Sequence, residues 1–213
     1  MKKTIFLLAT ILIFTISSCK KDDANADAKF SVKQKVTTLK SVQTGTFSFS
    51  KALVGVSEID FETETGTEDQ DFEYEGLYQF NVLTGTSTPA ISPVVITPGT
   101  YHELEVGIDN VLTSGKSIEI SGTYTDGTFY QFEFTSTLEE DYDIENAVGI
   151  NATVGQTTDF VLELDLVPLF NGVDFSKAVR DSDNIIRINS ASNSNLASII
   201  ENNFDVIMDF DND

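Results

Sequence analysis

Carboxylate side chains dominate residues 58–75, where their spacing could support metal chemistry. From residue 58, acidic residues alternate with apolar ones, which places one set of carboxylates on a single strand face: Glu58, Asp60, Glu62 and Glu64. Five more acidic residues follow: Glu68, Asp69, Asp71, Glu73 and Glu75. Calcium takes about six to eight oxygen ligands, and a bound cation relieves the repulsion between like charges on paired strands. This stretch therefore offers four candidate calcium ligands: Glu62, Glu64, Asp69 and Asp71. The alternative is a solvated acidic face that prevents edge-to-edge aggregation.

A second acidic run extends from Glu139 to Glu145. Runs of this kind are usually solvated loops, and we predict a loop over 138–145. One or two of its carboxylates would join the calcium site if folding brought the two runs together.

The residue types that support most enzyme mechanisms are scarce in this chain. His102 is the only histidine and Cys19 the only cysteine, which excludes most transition-metal sites because these need several imidazole or thiolate ligands. The alternation with Leu104 and Val106 predicts a half-buried, structural role for His102. Paired carboxylates can cleave glycosidic bonds, but tryptophan, a common sugar platform, is absent. We expect no enzymatic activity and no other cofactor, and we keep an accessory hydrolase of surface polysaccharide as the alternative.

The segment that ends at Cys19 has the three parts of a secretory signal. Lys2 and Lys3 supply the charged region, residues 5–16 supply an apolar region too short to span a bilayer, and two serines precede the cysteine. The four residues 16–19, Ile-Ser-Ser-Cys, resemble the lipobox of bacterial lipoproteins, in which cleavage leaves a lipidated cysteine as the first residue. This resemblance implies a lipidated Cys19 and a membrane anchor. The alternative is an ordinary secreted protein with an accidental cysteine.

The residues after Cys19 bear on where the anchor lies. Lys21, Asp22 and Asp23 resemble the export signal of Bacteroidetes-type surface lipoproteins, which implies the outer membrane and a surface-exposed domain. The alternative is a merely polar tether.

The charge of the chain narrows the class of partner. Of 13 basic residues, Lys2 and Lys3 are removed with the signal, which leaves 11 against 34 acidic residues and a net charge of −23. Such a surface repels phosphate backbones, so we expect no nucleic-acid partner. A glycan or another envelope protein is the expected ligand.

Alternating apolar and polar residues predict a mostly β fold. Strand patterns recur at short intervals along the chain, and Asp126-Gly127 is the strongest hairpin signal because this pair favours the tight turn that joins two strands. The parity slips near Gly55, which indicates a bulge. Seven or more strands with short connections predict an antiparallel β-sandwich.

The last part of the chain changes period. Apolar residues at helical spacing predict a helix over 195–208 with Ser194 as its N-cap, followed by an acidic tail. The predicted organisation is a signal peptide over 1–18, a lipidated cysteine and flexible tether over 19–29, a β-sandwich domain over 30–180, and a helix and tail over 181–213 packed on that domain.

Three stretches together resemble a family of Bacteroidetes-type lipoproteins that carry a domain of unknown function. They are residues 54–59 (Val-Gly-Val-Ser-Glu-Ile), 98–104 (Pro-Gly-Thr-Tyr-His-Glu-Leu) and 160–175. The resemblance covers most of residues 30–180 and implies an immunoglobulin- or transthyretin-like sandwich at the cell surface. It implies no activity and no site residues.

The expected function is therefore a membrane-anchored, non-enzymatic binding or structural component of the cell envelope. Two alternatives remain open: the hydrolase, and a pilus- or adhesin-type subunit. The subunit would need an exposed sheet edge or donor strand, for which residues 30–36 are the candidate.

Overall fold

A computed structural model of the chain describes residues 25–35, 45–63, 72–74, 76–204 and 207–212. The strands in these ranges are β1 (Ala26–Gln34), β2 (Thr46–Thr63), β3 (Phe72–Glu73), β4 (Tyr78–Asn81), β5 (Thr86–Thr88), β6 (Val94–Ile96), β7 (Gly99–Ile108), β8 (Ile118–Thr125), β9 (Phe129–Ser136), β10 (Glu140–Ala152), β11 (Thr157–Leu164), β12 (Ile185–Ile188) and β13 (Met208–Asn212). The helix α1 spans Ser194–Asn202, and two short 3-10 helices span Pro168–Phe170 and Phe175–Lys177. The prediction of a mostly β chain with one helix near its C-terminus is confirmed.

The signal segment and Cys19 lie outside the described residues. Strand β1 begins at Ala26, so residues 26–29, which we assigned to the tether, are part of a sheet. No helix in the described ranges is long and apolar enough to cross a membrane.

The strands form two sheets of mixed orientation. The smaller sheet has the order β13-β11-β1-β6, and the larger has the order β10-β7-β2-β8-β9-β12. In the larger sheet β3 and β4 also pair with β2, and β5 pairs with β4. Strand β1 pairs in parallel with β11, and β12 pairs in parallel with β9. The prediction of a purely antiparallel fold is therefore wrong for these two pairs. Their members lie far apart in the chain, so no tight turn imposes an antiparallel direction.

Aromatic side chains from both sheets meet in the core. The ring of Phe30 on β1 packs edge-on against Phe61 on β2, with centroids 5.7 Å apart. The ring of Phe160 on β11 lies 4.7 Å from Phe61 and 5.5 Å from Tyr101 on β7. All four residues are at most 3% exposed. These contacts hold the inner face of one sheet against the inner face of the other.

Strand β2 is long enough to pair with β8 through its first half and with β7 through its second half. Register shifts at Ser50 and Ser57 lie on either side of Gly55, close to the predicted bulge. A Cβ atom on Gly55 would lie 2.5 Å from the carbonyl oxygen of Asp109, so only glycine allows this approach. The predicted β8–β9 hairpin is confirmed, with Gly127 at a φ of 96° in its turn.

We predicted a loop over 138–145, but most of this acidic run belongs to a strand. Strand β10 begins at Glu140, and it pairs with β7 through Glu145. Tyr142 and Ile144 are buried between exposed acidic residues, so the run has the alternation of a strand.

The predicted C-terminal helix is correct at its start but too long. Helix α1 ends at Asn202, and Met208 instead begins β13, which pairs antiparallel with β11. Ser194 is the first helical residue, and Asn193 is the N-cap. Phe210 is 1% exposed between two aspartates, and this alternation suits a strand that completes the smaller sheet.

Candidate functional site

Nine carboxylates from four strands share one outward surface of the larger sheet. Residues between them, such as Phe61, Leu104 and Ile144, point into the core and are buried. Strand alternation therefore directs the acidic side chains away from the core. We call this surface the acidic face, and it consists of Glu58, Asp60 and Glu62 on β2, Glu73 on β3, Glu103 and Glu105 on β7, and Asp141, Asp143 and Glu145 on β10.

The strand registers place like charges directly opposite one another. Asp60 is opposite Glu105 on β7, and Glu105 is opposite Asp143 on β10. A second row joins three glutamates in the same way: Glu62, Glu103 and Glu145. Glu73 extends the first row, because it is opposite Asp60 on the other side of β2. Directly opposed like charges destabilise a sheet, so this arrangement favours a ligand of opposite charge.

Glu105 lies at the centre of this electrostatic field. Burial raises the pKa of its carboxyl group, and the negative charges of four acidic neighbours raise it further: Asp143, Glu58, Asp141 and Asp60. The shift shows that charging Glu105 is less favourable here than in water. A cation bound on the acidic face would instead favour the charged form of the Glu105 carboxyl group.

Gly107, which has no side chain, leaves room for the acidic side chains on the two strands beside it. Its neighbours across β2 and β10 are Glu58 and Asp141. A Cβ atom on Gly107 would lie 3.0 Å from the Cβ of Glu58 and 3.1 Å from an Oδ1 of Asp141. Glycine at this position therefore leaves room between two acidic side chains.

A pocket of about 330 Å³ lies where the second row of glutamates ends. It is lined by Glu62, Thr63, His102, Glu103, Glu145, Asn146 and Ala147. Its size is near the lower end of the range for small-molecule sites, about 300–1,000 Å³. Three carboxylates and one imidazole give this pocket the chemistry to hold a cationic group.

A turn within β10 fixes the imidazole of His102. The Nδ1 atom lies 3.2 Å from the carbonyl oxygen of Asn146, which can only accept, so Nδ1 carries the proton and donates it. The Asn146 side chain accepts hydrogen bonds from the backbone N–H groups of Val148 and Gly149. Gly149 has a φ of 75°, and a Cβ atom there would lie 2.6 Å from the Cε1 of His102. His102 is half-buried as predicted, but the predicted phase with Leu104 is wrong: the alternation is interrupted between Tyr101 and Leu104, which are both buried, and His102 lies beside three glutamates.

The predicted calcium ligands are only partly described. Glu62 is on the acidic face, whereas Glu64, Asp69 and Asp71 lie outside the described residues, between the end of β2 and the start of β3. Within the ranges that the structure describes, no group of three or more His, Cys, Asp or Glu side chains is arranged to hold a metal ion. The calcium site thus stays a prediction that depends on residues 64–71.

The second acidic run divides between two roles. Asp141, Asp143 and Glu145 join the acidic face, whereas their predicted share in a calcium site stays a prediction. Glu139 instead accepts a hydrogen bond from the side chain of Asn110, and Glu140 accepts one from the hydroxyl of Tyr142 at 3.2 Å. Glu103 and Glu105, which connect the two runs, were not among the predicted site residues. The only sequence signal for them was their alternation with Leu104 and Val106.

Comparisons with protein-family models, with curated proteins and with solved structures find no match to this chain.

Proposed function

We propose that this protein is a lipid-anchored, non-enzymatic binding or structural component of the bacterial cell envelope. The observation that carries the proposal is the sequence 16–19, Ile-Ser-Ser-Cys, directly after a secretory signal. Lipidation at Cys19 would hold the protein on a membrane leaflet, because each buried methylene contributes about 0.8 kcal/mol. The export-like sequence Lys21-Asp22-Asp23 supports the outer membrane and the cell surface as its location.

The finer assignment of the fold belongs to the same proposal. Two sheets of mixed orientation, whose facing surfaces contact each other through aromatic side chains, are compatible with a β-sandwich of the immunoglobulin or transthyretin kind. The resemblance to Bacteroidetes-type lipoproteins with a domain of unknown function supports that assignment. The parallel pairing of β1 with β11 would be a departure from a purely antiparallel sandwich.

The geometry of the acidic face favours binding over hydrolysis. Its carboxylates stand in rows on an outward strand surface, and the pocket beside Glu62 has no Phe, Tyr or Trp among its lining residues. A sugar-cleaving site usually offers an aromatic platform beside its acid pair. We propose that the acidic face binds a cationic ligand: a basic patch of an envelope protein or glycan, or calcium if residues 64–71 complete a site that the described residues do not form by themselves.

The position of β1 argues against the pilus- or adhesin-type alternative. Residues 30–34 of this strand pair with β11, and the side chains of Phe30 and Val32 are at most 3% exposed, so they already belong to the chain's own sheet and core. A strand that is donated to a partner has to leave those contacts.

Metabolic labelling with palmitate tests the anchor. The parent chain should incorporate the label, and the Cys19→Ala variant should not. Protease treatment of intact cells should then remove the domain from the parent. An unlabelled parent chain would overturn the proposed anchor, and protection from protease in intact cells would overturn the surface location.

Thermal melts of the mature chain in EDTA and in millimolar calcium test the cation site. Selective binding to the folded state at about 100 times the Kd stabilises it by about 2.7 kcal/mol, which corresponds to a Tm rise of about 5–10 °C for a chain of this size. The rise should disappear when four carboxylates are replaced by their amides: Glu62→Gln, Glu64→Gln, Asp69→Asn and Asp71→Asn. An equal rise in sodium chloride of matched ionic strength would refute calcium binding.

A further inference from the structure

One groove of the protein differs in charge from the other cavities. It has a volume of about 640 Å³ and lies between β1 and the chain segment that connects β4 to β6. It contains no Asp or Glu among its lining residues, which include Lys29, Ser31 and Lys33 on one wall and Thr84, Thr86 and Ser87 on the other. Three other cavities, of about 330, 360 and 420 Å³, each have two or more lining carboxylates. In a chain with 34 acidic residues, the absence of lining carboxylates makes this groove better suited to an anion than the other three cavities between described residues.

The lining residues supply donors that match a phosphate group. Lysine ammonium groups bind phosphate as point charges, and the serine and threonine hydroxyls donate to its oxygens. Lys29 forms an ion pair with Asp159 at 3.7 Å, and the two side chains are 56% and 43% exposed. Exposed ion pairs of this kind contribute little free energy, so Lys29 can exchange its partner for a ligand.

The groove and the acidic face lie on opposite sides of the molecule. On β1, Phe30 and Val32 point into the core, so Lys29, Ser31 and Lys33 point away from it. The ring of Phe30 packs against Phe61, whose neighbours Asp60 and Glu62 point outward from the larger sheet. The two sheets therefore separate a basic groove from the acidic face.

The groove also lies close in sequence to the proposed anchor. Six of the 11 basic residues of the mature chain lie between Lys20 and Lys40, together with three of the 34 acidic residues. The ten peptide units between Cys19 and Lys29 span at most about 35 Å when fully extended. Basic residues this close to a membrane are attracted by anionic headgroups.

We propose that the groove binds a phosphate-bearing lipid headgroup of the membrane that holds the anchor. Binding at Lys29 and Lys33 would turn the smaller sheet toward the membrane and direct the acidic face away from it. The proposal depends on the lipid anchor for its setting, whereas the chemistry of the groove is independent of lipidation and is tested without it.

The test is co-sedimentation of the mature chain, residues 19–213 with Cys19→Ser, which contains every described residue. Vesicles of phosphatidylcholine alone are compared with vesicles that also contain phosphatidylglycerol, in EDTA so that no divalent cation bridges the charges. We expect binding only to the vesicles with phosphatidylglycerol. The double variant Lys29→Gln/Lys33→Gln should bind on the order of 25-fold more weakly.

The matched control is Lys116→Gln/Lys177→Gln, which removes the same charge far from the groove in sequence and should retain parental binding. Equal losses in both double variants, with unchanged thermal melts, would show an unspecific charge effect and overturn the proposal. A second arm titrates glycerol 1-phosphate by calorimetry. If it binds the chain while vesicles do not, the groove takes a free phosphate compound and the headgroup proposal is wrong.

These results are distinguishable from a failure of the proposed anchor. Vesicle binding by the unlipidated chain, together with an absence of palmitate labelling in cells, would support the groove and overturn only the anchor. Palmitate labelling together with no vesicle binding would support the anchor and overturn the proposal for the groove.

Discussion

Removal of the charge on Glu105 should stabilise this protein at neutral pH. Glu105 faces two carboxylates directly, Asp60 on β2 and Asp143 on β10. Each opposed pair of like charges costs about 0.2–1 kcal/mol, and partial exposure of the face reduces this cost by screening. We therefore expect Glu105→Gln to raise the free energy of unfolding by about 0.5–1.5 kcal/mol, which corresponds to a Tm rise of about 2–5 °C.

The effect should depend on pH in a defined direction. Burial and then the neighbouring charges raise the pKa of Glu105 in the folded state. The stability contributed by its protonated form is fully present below the unfolded-state pKa and is lost as the pH rises through the folded-state pKa. The gap between variant and parent should thus be widest at neutral pH and should close as the pH falls through that window.

Glu119→Gln on β8, which lies on the other side of β2 from β7, is the matched control, because the same substitution there should have the opposite sign. Burial opposes ionisation of Glu119, but hydrogen bonds from Lys51 and Ser114 outweigh it and lower its pKa. Its stabilising contribution is present above the unfolded-state pKa and is lost as the pH falls through the folded-state value. At neutral pH, Glu119→Gln should therefore lower the Tm.

The assay is thermal unfolding followed by circular dichroism at low salt, at neutral and at acidic pH, with a repeat in high salt. High salt should shrink the effect of Glu105→Gln because it screens the repulsion. A lower Tm for this variant at neutral pH, or equal effects of the two substitutions, would refute the account of the acidic face as a repulsive surface.

Three further substitutions test the core, the His102 turn and a surface ion cluster. Phe61→Ala should lower the free energy of unfolding by about 3–5 kcal/mol, because Phe61 is fully buried against five aromatic rings; a denaturant melt that shows less than about 1 kcal/mol would contradict this packing. Gly149→Ala should cost about 1–2 kcal/mol and shift the imidazole signals of His102 in NMR spectra, because the new methyl group meets that ring at a positive φ; unchanged imidazole signals would refute this contact. Arg187→Gln should lower the Tm slightly, and less in high salt, because it removes ion pairs to Asp181, Asp183 and Glu133; a salt-independent loss in the Tm would indicate packing instead.

Local pattern was sufficient for several elements of the fold. The alternation of β1, the turn at Gly127 and the helical start at Ser194 each depend on residues a few positions apart. The strand period also predicted that Glu58, Asp60 and Glu62 share one face. The same pattern was present in β10, but the density of acidic residues led us to interpret it as a loop.

The neighbours of each strand depended on contacts that no local pattern contains. Strand alternation determines which side chains share a face, because the backbone fixes that geometry residue by residue. It does not determine which strand lies beside which, and Asp60, Glu105 and Asp143 are far apart in the chain although adjacent in the sheet. Contacts between distant parts of the chain also determine the parallel pairing of β1 with β11 and the end of α1 before β13. The sequence by itself thus determined which carboxylates of β2 belong to the acidic face. Only tertiary pairing extended that face over four strands and placed the basic groove on the opposite side of the molecule. The physical reason is that burial of both inner faces selects strand partners from the whole chain.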